Sequence, residues 1–168
     1  MPDYAYLKSD LINTTENDST EFATQIPFFI TKAEFRITKD IDDVGLDEYT
    51  TVSVSSGNAG AVPLNDRVRI VRNVNYTVST GTTVTNLLQR TVEYASDYWP
   101  VSASTGTPRY YSRRTNSSIK IVPTPVSATT VEIQTASQPL ALASATGTSV
   151  TTSNYFSEYC YDALFYGC

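Results

Sequence analysis

Histidine is missing from all 168 residues. That removes the commonest general base and, with only two cysteines present, a zinc site of the usual kind. A Ser, His and Asp set cannot be assembled, and no Gly-x-Ser-x-Gly elbow occurs. The glycines of "GNAGA" (57–61) and "TGTTVTN" (80–86) form neither GxGxxG nor a P-loop, since no Gly-Lys-Ser/Thr follows. They read as turns. The expectation is a non-enzyme with no cofactor and no metal.

Charge is also scarce. Asp, Glu, Lys and Arg make up 17% of the chain, with 12 basic against 17 acidic residues and a net charge of −5. Such a chain does not hold nucleic acid by bulk attraction, and any contact would be a local patch. Thr, Ser, Asn and Tyr stand in for the missing charges, as on an all-β surface or on a subunit largely covered by neighbours. No apolar run approaches the ~20 residues of a membrane-spanning helix. The opening "MPDYAYLKSDL" has no charged-then-apolar leader. A soluble protein without an export signal is expected.

Cys160 and Cys168 lie eight residues apart in a stretch that reads as one helix. On a continuous helix their Cα atoms would be ~12 Å apart, whereas a disulfide needs less than ~7 Å. They are expected to be unpaired, buried small hydrophobes. Asp40, Asp42, Asp43, Asp47 and Glu48 cluster in sequence without the EF-hand spacing and read as a solvated acidic loop.

What is present falls into three blocks. The first, residues 1–43, reads as helical. Residues 4–12 suit a short helix, and the polar "NTTENDST" breaks it. Pro27 suits a helix's first turn, and Ile30, Ala33, Ile37 and Ile41 then recur on one stripe. These predict an amphipathic helix over residues 27–41.

The second block, residues 44–143, is rich in Thr, Val, Ser and Tyr, with turn residues every eight to twelve positions. "TTVSVSS" alternates. In "RVRIVRNVNYTV", Val68, Ile70, Val74, Tyr76 and Val78 are expected to face inward, with an irregularity near Val71 and Arg72. "STGTT" reads as a turn and "VTNLLQRT" as an edge strand. Val92, Ala95, Tyr98 and Trp99 recur at helical spacing, predicting a short helix near 91–99 that Pro100 ends.

"RYYSRR" and "SIKIVPTP" then form a hairpin around "TNSS", with Asn116 suited to a left-handed conformation. Ile119 and Ile121 share one face, with Lys120 on the other. Arg113 and Arg114 point to opposite faces, so they do not build one flat cationic surface. Val131, Ile133 and Thr135 alternate along a further strand.

The third block, residues 144–168, is a flexible linker and a helix capped by Ser153 or Asn154. Phe156, Cys160, Ala163 and Gly167 share one face, beside Tyr155 and Tyr159. The helix carries no stop signal, so the natural chain is expected to continue. The end helices are expected to bury their apolar stripes against each other. The expected fold class is therefore α+β: a helical body with an inserted antiparallel β lobe, sandwich- or barrel-like.

"QIPFFITKAEFRITKDID", "TVEYASDYWP", "GTPRYYSRRTNSSIKIVPTP", "VEIQTASQPL" and "NYFSEYCYDALFYGC" span about Ile26 to Cys168. With these the chain resembles the head-to-tail adaptor proteins of tailed bacteriophages. The resemblance implies a ring of identical subunits, usually dodecameric, at the virion neck beneath the portal and assembled in the host cytoplasm. Such a ring extends the DNA channel, lets DNA pass without sequence-specific binding, and gives tail proteins (nozzle or tail tube) a platform. It implies no membrane partner. Expected contacts with neighbouring subunits and partners involve Tyr110, Arg113, Arg114 and Lys120 of the hairpin and Tyr155, Tyr159, Phe165 and Tyr166 of the last helix. The alternative is a β-sandwich virion decoration or receptor- and glycan-binding module, which leaves the two end helices unexplained.

Overall fold

A computed structural model describes residues 2–77, 83–101, 103–144 and 150–168. Residues 79–82 of the expected turn, the inward Val78 and residues 145–149 of the expected linker lie outside the described residues. The chain divides into a unit made of Met1–Leu46 with Gln138–Cys168 and a second unit, Asp47–Ser137.

In the first unit, α1 (Tyr4–Thr15) starts where the Asp3 carboxylate accepts the Tyr6 N–H at 2.9 Å, and it buries Tyr4, Leu7 and Leu11. It stops at Glu16, whose φ of 51° is left-handed. The second helix, α2 (Thr20–Asp40), begins seven residues before Pro27, with Ser19 as its cap. Pro27 is therefore interior and not in the first turn as its chemistry suggested. It is exposed, so the hydrogen bond its missing N–H forgoes lies on the solvent side of the helix. Ile26, Ile30 and Ala33 are buried, with Ile37 packed at the edge of the same stripe.

The chain returns through β9 (Ala141–Leu142) and β10 (Val150–Thr151), a short parallel pair. It ends in α4 (Tyr155–Tyr159) and α5 (Tyr161–Gly167). These replace the single helix expected there. The backbone breaks at Cys160, with φ −126° and ψ 34°. The break rotates the second segment, so Leu164 joins Phe156 in the core and Ala163 is exposed. The core joins residues from both ends of the chain: Leu7, Ile26, Ile30, Leu142, Phe156 and Leu164. The end helices do pack together, α2 against α5.

The second unit is a lobe of two four-stranded sheets. One orders β1 (Asp47–Val54), β8 (Thr129–Ser137), β3 (Val68–Thr77) and β4 (Val84–Asn86), all antiparallel. The other orders β2 (Val62–Pro63), β7 (Ser118–Val122), β6 (Tyr110–Thr115) and β5 (Leu88–Gln89). Only the β5–β6 pair of this second sheet is parallel. Val54, Val74, Val131 and Ile133 from the first sheet and Val62, Tyr111, Ile119 and Ile121 from the second share one core, as in a sandwich. The stretch read as one edge strand is two, β4 and β5, one on each sheet, with buried Leu87 between them. The helix α3 (Val92–Tyr98) follows, with Thr91 as its cap.

In β3 the irregularity is real and doubled: register shifts fall between Val68 and Ile70 and between Val71 and Asn73. Each inserts a residue and flips the alternation. Val71 is consequently buried, while Ile70, expected inside, is 46% exposed. The expected acidic loop is also corrected. Asp47 and Glu48 lie in β1, where Arg72 pairs with Asp47 at 2.6 Å and Arg67 with Glu48 at 3.4 Å. Gln134 also donates to Asp47, at 3.0 Å.

Candidate functional site

Two surfaces hold the residues expected to meet partners, one in each unit. In the lobe, the hairpin β6–β7 pairs Tyr111 with Ile121, Ser112 with Lys120 and Arg113 with Ile119. Its turn does not use a left-handed Asn116, since among the described residues the non-glycine with positive φ is Glu16. A register shift between Arg113 and Thr115 sits next to the turn instead.

Directly opposed residues share a face, so Arg113 lies on the core side beside Ile119. Its guanidinium reaches back over the lobe. It donates to the carbonyls of Val68 at 3.0 Å, Asn116 at 3.1 Å and Thr115 at 3.4 Å, and also to that of Arg69. One planar fork thus ties the hairpin to β3. Arg114 is more exposed and makes one such bond, to the Gly60 carbonyl at 3.0 Å. Lys120 turns to the other face and donates to Ser96 Oγ of α3 at 3.3 Å.

Tyr110 shares that outer face. Its ring meets Tyr94 and Tyr98 edge-on, at centroid distances of 5.5 and 5.2 Å, while those two rings stack with an interplanar angle of 7°. The Arg90 guanidinium lies 5.7 Å from the Tyr94 ring and 5.5 Å from the Tyr110 ring. This aromatic group had not been anticipated around Tyr110. Its trace was present in the four-residue step from Tyr94 to Tyr98, which places one ring above the next on α3.

In the helical unit, Tyr155 is a packing residue as much as a surface one. Its hydroxyl donates to Asp43 Oδ2 at 2.9 Å. Its ring lies so close to Gly45 that a Cβ there would fall 2.0 Å from Tyr155 Cε2. Tyr159 lies 5.2 Å from that ring and is 72% exposed. Phe165 stacks on Tyr161, whose hydroxyl donates to Asp10 at 2.7 Å. Tyr166 stands in solvent, 85% exposed. The structure thus brings Tyr110 and Lys120 together on the α3 side of the hairpin and separates them from Arg113.

Glu34 is the most buried carboxylate of this unit. Its Oε1 accepts the Leu142 N–H at 3.1 Å and Asn154 Nδ2 at 2.6 Å, while Oε2 has no partner among the described residues. Burial raises its pKa, and the two hydrogen bonds oppose the rise. Cys160 and Cys168 are free and half-buried, not fully buried as expected. Burial, reinforced by the Glu34 charge, pushes the Cys168 thiol up to about 11. Neither is an activated nucleophile. Among the described residues no group of three metal-ligating side chains forms, and no helix is long and apolar enough to cross a membrane.

Compared with protein families, the chain matches the model described as SU10 adaptor protein over residues 3–168. The chain belongs to the SU10 adaptor protein family. This is a phage head–tail adaptor family, and its members are structural proteins, consistent with a fold built around packing residues and hydrogen-bonded hairpins. No curated protein matches the chain. The adaptor's β lobe and paired end helices agree with the architecture expected from the resemblance.

Proposed function

We propose that this adaptor forms a closed ring of identical subunits, twelve in number, at the neck of the virion beneath the portal. The ring extends the channel through which DNA leaves the capsid and offers its far side to a nozzle or tail-tube protein. The observation that carries the reading is the family match across residues 3–168, which takes in both the helical unit and the inserted lobe. The charge of −5 supports a conduit that lets DNA slide, because a net negative subunit repels phosphates. Exposed Tyr159 and Tyr166 in a charge-poor chain suit subunit contacts, where aromatic residues are enriched.

The test is size-exclusion chromatography with light scattering on the full chain, alone and with its portal. A discrete ring or a portal-bound complex of defined mass is expected. A persistent monomer that ignores the portal would sink the reading.

A further inference from the structure

Helix α2 carries two stripes of large side chains. Ile26, Ile30, Ala33 and Ile37 face the core of their unit. Phe28, Lys32, Phe35 and Lys39 repeat that spacing two residues later, which is ~200° around the helix. They therefore lie on the side away from the core. Phe28 is 53% and Phe35 52% exposed, and each ring is covered by its own lysine, with the ammonium 4.3 and 4.4 Å from the centroid. Between Phe28 and Lys39 the cations are Lys32, Arg36 and Lys39, and the one carboxylate, Glu34, is buried. This outer face is aromatic and positive.

The end of the chain has the opposite sign. No Lys or Arg occurs after Lys120. The charges of α4 and α5 are Glu158 and Asp162, beside the exposed rings of Tyr159 and Tyr166. Asp162 and Tyr166, four apart on α5, project away from buried Leu164. Among the described residues none of these five charges takes part in an ion pair.

We infer that the α2 face of one subunit docks on the α4–α5 face of the next copy of this chain. Lys32 and Lys39 meet Asp162 and Glu158, and Phe28 and Phe35 pack on Tyr159 and Tyr166. Charge complementarity selects this occupant. Neither face suits itself, because like charges would meet, yet the chain carries both halves of the pair. A contact between two different faces is heterologous, the kind that closes into a ring. The inference rests on the ring reading above and adds which surfaces make the ring.

Charge reversal tests it on the full chain, with circular dichroism confirming that these surface changes leave the fold intact. K32E/K39E and E158K/D162K should each raise the midpoint concentration for assembly by about tenfold or more. The quadruple variant, with both faces reversed, should assemble again, and so should an equimolar mixture of the two double variants. Higher salt should weaken the wild-type ring. If both double variants form rings like the wild type, the face pairing is wrong while the ring stands. A loss of DNA retention by K32E/K39E with the ring intact would assign the basic face to phosphates and overturn the pairing. If both doubles fail and neither the quadruple variant nor the mixture recovers, the two faces do not meet each other. A wild type that stays monomeric with and without portal removes the ring reading itself.

Discussion

Asn154 Nδ2 lies 2.6 Å from Oε1 of the buried Glu34. The same asparagine caps α4 through the Ser157 N–H and donates to the Leu140 carbonyl at 3.0 Å. One side chain thus joins α2, the returning segment and the start of α4. The carboxylate at its centre keeps one oxygen unpaired.

That carboxylate makes stability depend on pH. Burial holds its pKa above the ordinary glutamate value of 4.5, so the folded chain holds this proton where the unfolded chain has released it. The Glu34 contribution is most favourable below the unfolded value. It falls as pH rises from there through the folded value. In urea titrations across this range, Glu34→Gln should flatten that part of the profile. Glu34→Ala should cost ~2–4 kcal/mol at neutral pH by stranding the Leu142 and Asn154 donors. An unchanged pH profile in Glu34→Gln would refute the assignment.

Gly45 and Tyr155 form a second dependent pair. Gly45→Ala should cost ~1–3 kcal/mol, because the new methyl overlaps the ring. The cost should shrink when Tyr155→Ala is made in the same chain, a non-additivity visible in a double-mutant cycle of melting temperatures. Equal costs of Gly45→Ala with and without the ring would place the strain elsewhere.

The neighbours Arg113 and Arg114 should part company under mutation. Arg113→Ala removes a fork that serves four carbonyls and should destabilise by ~2 kcal/mol, and Arg113→Lys should recover little of it. Arg114→Ala should stay within about 0.5 kcal/mol. Chemical denaturation decides the matter. Equal effects would mean that the Arg113 hydrogen bonds contribute nothing net.

Thiol chemistry reports on the last helix. With its pKa near 11, Cys168 should react slowly with a maleimide at neutral pH, and faster as the pH climbs toward that value. A rate at pH 7.5 equal to that of free cysteine would show that the helix end is open and not packed.

Much of the fold was legible because its signals are periodic. The α2 stripe, the β8 alternation at Val131, Ile133 and Thr135, and the helical spacing of Val92, Ala95 and Tyr98 each carry a period that burial enforces. The departures have local causes that leave a weaker mark. Pro27 reads as a start, yet it sits harmlessly on an exposed face while Ser19 caps the helix. Two inserted residues in β3 exchange Ile70 for Val71. A single backbone irregularity at Cys160 divides the last helix. The surfaces were only half legible. Arg113 and Arg114 read alike as letters, and only the hairpin register shows that Arg113 spends its donors inside the lobe. Phe28 and Phe35 vanish in a sequence reading behind the core stripe, whose Ile26 and Ala33 stand two places earlier.

The helical unit is assembled from the two ends of the chain, and this gives synthesis an order. The β lobe is contiguous and leaves the ribosome whole, while α2, its apolar stripe met only by α1, waits for Leu142, Phe156 and Leu164. At roughly 5–20 residues per second the wait lasts about 5–25 seconds. A chain stopped at Ser137 should keep the lobe's near-ultraviolet dichroism and lose much of the helical signal; full helicity in that chain would disprove the order. If it holds, the faces proposed to join subunits are complete only once α5 has been made, so a nascent chain that has not reached α5 does not seed a ring.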